Sequence, residues 1–296
     1  MNETAGVQLQ QGAVRLALRP DLGGAVAGLW FDGLPVLRSC EPQALRDVHE
    51  SGLFALVPYS NRIAQRQFGW AGRHYALAPN SDEPHNLHGT AWLAPWQVLD
   101  RAPGRAVLQL THPSDAAWPF AFHVEQTFEL GEASLRITLA VTNIDARQTP
   151  MGLGWHPFFV RRPHSRVHLE LQHRWDTDAG KLPVRQVAQT ALDADVAVLD
   201  LDHCFDGWRG PARIRDEKLS LRLTSSLQRA VVCTPRERGF FCVEPVSHVN
   251  NAINLAAANP SLRLEDLGVV LLEPGQTLSA SMRIAVARSA APLPSA

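Results

Sequence analysis

The sequence predicts an all-β protein, built as a large antiparallel β-sandwich. Apolar and polar residues alternate in many short segments, which is the pattern of strands that bury one face. The 21 prolines and 20 glycines are spread along the 296 residues, as frequent turns require. No segment shows the strand, long helix, strand rhythm that is typical of a parallel sheet. Two stacked antiparallel sheets satisfy all three observations.

Several segments show the period-two alternation of half-buried strands. They are residues 14–19, 68–77, 107–111, 122–130, 135–143, 167–171, 219–224, 240–243 and 276–286. The segment 68–77 contains a turn at Ala71 and Gly72. Helical patterns are weak and predict only two short helices, over residues 42–50 and 187–194.

The chain is predicted to form one domain over residues 1–296, with its core at about residues 10–286. Neither an internal repeat nor a low-complexity linker divides it. The tail that begins at Ser289 reads SAAPLPSA, and a small, proline-containing terminus of this kind is expected to fray.

Composition excludes several classes of partner. Hydrophobic residues make up 45% of the chain, charged residues 19%, and the formal net charge is −1. Lysine occurs only as Lys181 and Lys218, and the arginines are spread among acids. The basic stripe of a nucleic-acid-binding surface is therefore missing. A membrane partner is not expected either, because no apolar stretch approaches the roughly 20 residues that span a bilayer.

The four cysteines indicate a reducing compartment. Cys40, Cys204, Cys233 and Cys242 are far apart and form no CxxC pair. We expect buried thiols rather than a disulfide framework or a zinc site. The first ten residues, MNETAGVQLQ, have neither the apolar run nor the basic flank of a secretory signal. Together these features predict a cytoplasmic protein.

Four short segments set polar residues beside glycine, proline and aromatic residues. In LVPYSNRIA, residues 56–64, Asn61 and Arg62 offer an amide and a planar fork of donors. The alternative is an arginine that ties a loop to backbone carbonyls. In HNLHGTAW, residues 85–92, His85 and His88 lie three apart. Because no third ligand lies nearby and no HExxH occurs, a histidine in a cleft beside an aromatic is favoured over a metal site.

The other two segments place a titratable residue beside a proline. In GLGWHPFF, residues 152–159, His156 precedes Pro157, which suggests an edge or a bulge that aims the imidazole into a pocket. The alternative is a core histidine bonded to a carbonyl. In FFCVEPVSHVNNAIN, residues 240–254, Glu244 ends an apolar strand before Pro245. A buried acid is costly unless it is paired or functional. The alternative is a glutamate bonded to loop amides.

Together these segments resemble the aldose 1-epimerase (galactose mutarotase) family. The matching segments, in the family's order, are 58–64 (PYSNRIA), 68–77 with Gly72 and Tyr75, 86–89 (NLHG), 156–159 (HPFF), 201–208 (LDHCFDGW) and 244–248 (EPVSH). The resemblance covers about residues 10–286. It implies a galactose mutarotase-like supersandwich and an isomerase of carbohydrate metabolism. That enzyme would interconvert the anomers of a free aldose such as a hexose, without a metal, nucleotide or other cofactor.

The resemblance also implies a role for each site residue. Glu244 would be the base at the C1 hydroxyl and His156 the acid at the ring oxygen. The implied substrate-binding residues are His88 beside the ring oxygen, Arg62 and Asn61 at sugar hydroxyls, Asp202 as an acceptor, and Trp155 and Trp208 as stacking surfaces. We expect Glu244 and His156 to face each other across one cleft, about a sugar ring apart.

Departures from the family pattern concern the substrate. Gly89 is followed by Thr90, where the family often has a longer glycine loop. Arg209, Arg236 and Arg238 lie beside matching segments and suggest an acidic sugar, such as a sugar phosphate or a sulfonated hexose. The alternative is that these arginines are solvated loop charges.

Two further functions stay open from the sequence. One is a non-catalytic sugar-binding protein. The other is a glycoside-processing enzyme, for which Glu244 and Asp202 would form the necessary pair of carboxylates. The expected partner is a small-molecule sugar, and the protein would be a monomer or a homodimer.

Overall fold

The computed structural model describes residues 6–290, which consist mainly of β-strands. In chain order the strands are β1 Val7–Gln11, β2 Val14–Arg19, β3 Ala25–Phe31, β4 Leu34–Pro35, β5 Leu53–Leu56, β6 Arg62–Ile63, β7 Gln67–Trp70, β8 Arg73–Ala76, β9 Asn86–Leu87, β10 Gln97–Ala102, β11 Arg105–His112, β12 Phe122–Gly131, β13 Ser134–Asn143, β14 Thr149–Met151, β15 Gly154–Val160, β16 Arg166–Glu170, β17 His173–Thr177, β18 Pro183–Ala188, β19 Ala191–Asp195, β20 Asp202–Asp206, β21 Arg209–Arg215, β22 Leu219–Ser225, β23 Arg229–Cys233, β24 Phe240–Val246, β25 Val270–Leu272 and β26 Thr277–Arg288. One α-helix, α1, covers Ala252–Ala258 within this part of the chain.

Two large sheets dominate the described part of the chain. Sheet 1 has eleven strands in the order β1-β2-β3-β5-β15-β24-β23-β20-β17-β18, with β4 beside β3. Sheet 2 has nine strands in the order β10-β11-β12-β13-β26-β22-β21-β16-β19. Neighbouring strands are antiparallel, as in the pairs β15–β24 and β13–β26. The prediction of an all-β protein with large antiparallel sheets is confirmed.

The main hydrophobic core lies between the two sheets. It joins Leu16 and Phe159 of sheet 1 with Phe128, Ile137 and Ile284 of sheet 2, and each of these side chains is fully buried. Because successive side chains of a strand point to opposite faces, only alternate residues of sheet 1 reach this core.

Sheet 1 also carries a second buried cluster on its other face. Phe54, Phe158, Cys242 and Val246 belong to that cluster, together with Ala252 from α1. Both faces of β15 and β24 are therefore covered, which explains why their sequences are apolar almost throughout. The candidate site lies on this second face.

The structure matches most of the predicted strands. Residues 14–19 form β2, and residues 68–77 form the hairpin of β7 and β8 with its turn at Ala71 and Gly72. The predicted helix over residues 42–50 is present only as two short 3-10 helices, Pro42–Ala44 and Val48–Glu50.

The predicted helix over residues 187–194 is wrong. These residues end β18 and form most of β19, and the two strands lie at the edges of different sheets. Pairing of β18 with β17 and of β19 with β16 satisfies their backbone groups, whereas so short a helix has little stability of its own. Conversely, the alanine-rich α1 was not predicted, because its residues follow the polar loop after Glu244.

The predicted fraying concerned the tail from Ser289. Ser289 is hydrogen-bonded, through its backbone N–H to Lys218 O at 3.0 Å and through its hydroxyl to Asp216 O at 2.7 Å. Residues 291–296 lie outside the described residues. A search of residues 6–290 finds no helix that is both long and apolar enough to cross a membrane.

Candidate active site

His156 and Glu244 occupy opposed positions on neighbouring strands. In the antiparallel pair of β15 and β24, Gly154 is opposite Val246 and Phe158 is opposite Cys242. The same register places His156 directly across from Glu244. Because directly opposed residues share one face of a sheet, both side chains point to the same side of sheet 1.

Two prolines interrupt the strand ladder at this point. Pro157 follows His156 and Pro245 follows Glu244, and neither has a backbone N–H to donate. The sequence analysis expected an edge or a bulge at Pro157. Instead β15 is a central strand between β5 and β24, and no register shift is present along the Gly154–Pro157 pairing with β5.

The two side chains approach each other closely. Nε2 of His156 lies 3.3 Å from Oε1 of Glu244, and the side chains are 13% and 3% exposed. The expected separation of about a sugar ring is therefore wrong. The hydroxyl oxygen O1 and the ring oxygen O5 of an aldose are bonded to the same carbon, so groups that serve both oxygens have to be near neighbours.

Each of the two side chains also has a buried atom without a hydrogen-bond partner among the described residues. These atoms are Nδ1 of His156 and Oε2 of Glu244. A buried polar atom that stays unpaired destabilises the folded state by about 1–3 kcal/mol. Such atoms are typical of a site that completes its interactions with a ligand.

Burial shifts the pKa values of the pair in opposite directions. Loss of solvent raises the pKa of Glu244 well above 4.5, the carboxylate of Asp202 raises it further, and the guanidinium of Arg62 opposes the rise. Loss of solvent lowers the pKa of His156 below 6.5, and the charge of Arg38 adds to the decrease. Both shifts disfavour charge in the site. Between the two pKa values, the pair holds one proton in total.

His88 lies beside this pair. Its ring meets that of His156 edge to face, with 5.1 Å between the ring centroids. Its Nδ1 accepts the backbone N–H of Asn61 at 3.1 Å, so in the neutral ring Nε2 carries the hydrogen and is a donor. Burial, with the neighbouring charges of His156 and Arg62, lowers the pKa of His88 well below 6.5 and keeps the ring neutral.

Asn61 and Arg62 are held by each other and by an acid. Arg62 donates through Nε and Nη2 to the carboxylate of Glu83, at 3.0 and 3.1 Å, and through Nη1 to Oδ1 of Asn61 at 3.2 Å. The alternative of an arginine bound to backbone carbonyls is therefore not what the structure contains. Arg62 is 6% exposed, and its charge acts on Glu244.

Asp202 is the first residue of β20, on the same side of sheet 1. Its carboxylate lies 2.7 Å from Nζ of Lys181, and its side chain is 28% exposed. Its charge raises the pKa of Glu244. Asp202 therefore lies at the more open edge of the site.

The expectation that Trp155 and Trp208 offer stacking surfaces is wrong. Both belong to the core between the sheets, at 0% and 4% exposure, and the indole of Trp155 donates to Oε1 of Gln126 at 3.2 Å. The physical reason is the alternation along β15, because Trp155 and His156 are consecutive and point to opposite faces.

The aromatic residues that border the site are different ones. Phe54 and Phe158 stack on His156 with centroid distances of 5.0 and 4.3 Å, and Trp92 stacks on Phe54 at 5.2 Å. Phe54 lies opposite His156 in the pairing of β5 with β15. This pairing of distant strands has no local sequence pattern that predicts it, although the alternation along β15 predicts the face of Phe158.

Two further histidines have structural roles. Nδ1 of His85 accepts the backbone N–H of Gln65 at 3.0 Å. Nε2 of His248 accepts the backbone N–H of Ser60 at 3.1 Å, and its Nδ1 donates to Val249 O. His248 thus ties the loop after β24 to the turn that carries Asn61.

Of the arginines that suggested an acidic substrate, Arg209 and Arg236 are not gathered at the site, whereas the charge of Arg238 acts on Arg38. Arg209 begins β21 in sheet 2, and Arg236 lies 3.4 Å from Asp200 with 63% of its side chain exposed. Arg38 is nearer, because its charge acts on His156. Its Nε and Nη2 donate to the backbone carbonyls of His49 and Ser51.

One potential metal-ligand group occurs among residues 6–290. It consists of His156, Cys242 and Glu244, whose ligand atoms all lie within 4.8 Å of one another. It does not include His85 or His88, the histidine pair considered from the sequence.

Comparison with known sequences identifies one family. The family model for aldose 1-epimerase matches residues 6–285 of the chain. The uncharacterized protein YphB of Escherichia coli K12 is 29% identical over 296 residues, which cover 94% of this chain and 97% of YphB. The uncharacterized protein YihR of the same organism is 23% identical over 252 residues, or 79% of this chain and 81% of YihR.

Comparison with solved structures identifies the same fold. A protein of Escherichia coli K12, provisionally described as an aldose 1-epimerase, superimposes with a TM-score of 0.85 at 27% identity, over 96% of this chain and 99% of that one. A galactose mutarotase-like protein of Clostridium acetobutylicum gives a TM-score of 0.83 at 19% identity, over 97% and 96% of the two chains.

Proposed function

The chain belongs to the aldose 1-epimerase family, and we propose that it is a cofactor-independent mutarotase that interconverts the α and β anomers of a free aldose. The observation that carries the proposal is the approach of His156 to Glu244, 3.3 Å apart on one face of sheet 1. An anomer exchange needs one base and one acid at two oxygens of the same carbon. These two side chains have the required types and spacing.

The reaction can be written with these two groups alone. Glu244 takes the proton of O1, the bond between C1 and O5 breaks, and its electron pair goes to O5. His156 protonates O5, while C1 and O1 form the carbonyl of the open-chain aldehyde. Rotation about the C1–C2 bond exposes the other face of the carbonyl, and the same steps in reverse close the ring as the other anomer.

The pair holds the number of protons that this chemistry needs. Glu244 as base and His156 as acid together hold one proton, which is also the total between the two pKa values. Because the pKa of Glu244 is raised and that of His156 is lowered, this proton is on Glu244 at rest, and the reactive arrangement forms when it moves to His156. A sugar that displaces the direct contact between the two side chains would accept a hydrogen from one and donate a hydrogen to the other. No net change of charge is then needed in a buried site.

The surrounding residues supply sugar contacts in this proposal. The Nε2–H of His88 donates to O5 or to a neighbouring hydroxyl. Arg62, which is held by Glu83, and Asn61, which accepts a hydrogen bond from Arg62, bind hydroxyl groups. Asp202, at the open edge, accepts hydrogen bonds from hydroxyls farther from C1.

The charges around the site favour a neutral aldose over an acidic one. Arg62 is paired with Glu83, Lys181 with Asp202, and Arg236 with Asp200. Arg38 is the exception, because it lies over the rings of Phe158 and Phe240 and donates to a backbone carbonyl instead of an acid. A cation that is already paired gains less from a new anion than a free cation does. We therefore propose a neutral hexose as the substrate, and the partner of this site is the small sugar itself.

Anomer exchange followed by saturation-transfer NMR tests this proposal. The sugars are glucose, galactose, glucose 6-phosphate and a sulfonated hexose, each compared with the spontaneous exchange rate in the same buffer. We expect acceleration with a neutral hexose and little with the two anions. Acceleration of the anions alone would make the substrate class acidic, and acceleration of none would contradict the proposal for this panel.

A further inference from the structure

Cys242 lies beside the proposed acid and base but has no part in the proposed sugar reaction. It precedes Glu244 by two residues on β24, so both side chains point to the same face of sheet 1. The Cys242 side chain is 1% exposed. Its sulfur and the ligand atoms of His156 and Glu244 all lie within 4.8 Å of one another.

This combination of donor atoms suits one class of ion. A nitrogen, a sulfur and a carboxylate oxygen are the ligands of zinc, with bonds of about 2.0–2.3 Å in a tetrahedral arrangement. Two nitrogen or oxygen ligands at such distances lie about 3.4 Å apart, and Nε2 of His156 and Oε1 of Glu244 are 3.3 Å apart. Hard ions such as Mg²⁺ avoid sulfur, which restricts the site to soft or borderline cations.

The ligand atoms are also available. Nε2 of His156 and Oε1 of Glu244 face each other at 3.3 Å, and the second carboxylate oxygen of Glu244, Oε2, is buried without a partner among the described residues. The ring of His156 is fixed between Phe54 and Phe158. Strand pairing fixes the backbones of all three residues, with His156 opposite Phe54, Cys242 opposite Phe158 and Glu244 opposite Val231. Little conformational freedom is therefore lost when an ion binds.

We propose that Zn²⁺, or a thiophilic divalent cation like it, binds to His156, Cys242 and Glu244 and thereby inhibits the enzyme. Coordination displaces the thiol proton to solvent, and the charge of the ion stabilises the thiolate that forms. The ion leaves one tetrahedral position for water, as sites with three protein ligands do. It occupies the atoms that the sugar reaction needs, so cation and sugar exclude each other.

The inhibitory part of this inference rests on the proposed function, whereas the metal site itself does not. The metal site and the inhibition are therefore tested by two separate measurements. Metal affinity is measured by competition between the protein and a chromophoric zinc chelator, and inhibition is measured by anomer exchange with and without Zn²⁺. If the wild-type protein exchanges no anomers, the proposed function fails, and the chelator competition still decides the metal site.

The decisive variant is Cys242→Ala, with Cys242→Val as a second variant that keeps the buried volume. Cys40→Ala is the matched control, because Cys40 packs near Trp30 and Leu45 in a different cluster. Loss of residues that only support metal ligands costs about 10–100-fold in affinity, so loss of a ligand should cost more than about 100-fold.

We expect wild type and Cys40→Ala to bind one Zn²⁺ per chain, and Zn²⁺ to slow their anomer exchange in competition with the sugar. Chelation with EDTA should restore the rate. Cys242→Ala and Cys242→Val should keep the rate without metal and lose the inhibition. Co²⁺ in the wild-type protein should show a thiolate-to-metal absorption band that both variants lack. Equal Zn²⁺ affinity in wild type and the Cys242 variants, or no Zn²⁺ binding by wild type, would overturn the inference.

Discussion

Nε2 of His156 and Oε1 of Glu244 lie 3.3 Å apart, although the two residues belong to distant parts of the chain. Their approach follows from the register of β15 with β24, which places the two residues directly opposite each other. The pKa of Glu244 is raised and that of His156 is lowered by burial, so between the two values the pair holds one proton, on Glu244 at rest. Acid–base opening of a hemiacetal ring requires the same single proton on His156, with Glu244 free as the base.

The first prediction concerns the pH dependence of anomer exchange. Activity is lost when the pair gains a second proton, which leaves no base, and when it loses its only proton, which leaves no acid. Burial lowers the pKa of His156, so activity is lost by protonation only at lower pH, and it raises the pKa of Glu244, so activity is lost by deprotonation only at higher pH. We therefore expect the exchange rate to stay constant over a pH range that is wider, on both sides, than pH 4.5 to 6.5. The rate without enzyme is subtracted at each pH, and a narrow bell confined to that interval would contradict the assignment.

The second prediction concerns Arg62. Arg62→Ala removes a donor to the substrate and a charge that lowers the pKa of Glu244. Because a hydrogen bond from a charged group contributes about 1.5–3 kcal/mol, we expect KM to rise about 10–100-fold. The alkaline limb of the pH profile should also move to higher pH.

Glu83→Gln is the matched comparison for Arg62. It keeps the guanidinium but loosens its position, since Glu83 accepts two of its hydrogen bonds. The effect on KM should be smaller than that of Arg62→Ala. An unchanged KM in Arg62→Ala would show that this side chain does not contact the sugar.

The third prediction separates two histidines that look alike in sequence. Nδ1 of His88 and Nδ1 of His85 each accept one backbone N–H, but only His88 contacts the ring of His156. His88→Phe and His85→Phe should therefore both lower the melting temperature. Removal of one catalytic hydrogen-bond donor can cost about 100–1000-fold in kcat, and we expect a loss of this size only for His88→Phe. Similar kcat values for the two variants would be evidence against a role of His88 in the site.

The fourth prediction places Trp155 in the core. Trp155→Phe removes the indole donor to Gln126 and leaves space between the sheets. The free energy of unfolding should fall by about 1–3 kcal/mol, measured by urea denaturation. KM should stay within about twofold of wild type, since the side chain does not reach the site. A large increase in KM with unchanged stability would restore the stacking role.

The sequence predicts the strands more completely than it predicts the contacts within the site. The alternation of apolar and polar residues alone predicts β2 and the hairpin of β7 and β8, because each of these strands buries one of its two faces. The same alternation excludes Trp155 from the face of His156 and therefore argues against a stacking role for its indole. It also places Cys242 on the face of Glu244.

Other relationships depend on pairing between distant strands. The contact of His156 with Glu244, the stacking of Phe54 on His156 and the clamp of Glu83 on Arg62 cannot be derived from local patterns. The register of β15 with both of its neighbours is set by the whole sheet. The helix predicted over residues 187–194 is absent for the same reason, since edge pairing in two different sheets decides their conformation.

The most direct test of the central claim is the anomer exchange rate of Glu244→Gln, measured by saturation-transfer NMR on a sugar that the wild-type protein accelerates. The amide keeps the shape of the side chain but cannot take the proton of O1. A positioned acid or base contributes about 100- to 10000-fold to a rate, so we predict at least a hundredfold loss. Circular dichroism of the variant checks that the fold is intact. A folded Glu244→Gln protein that keeps the wild-type rate would contradict the account.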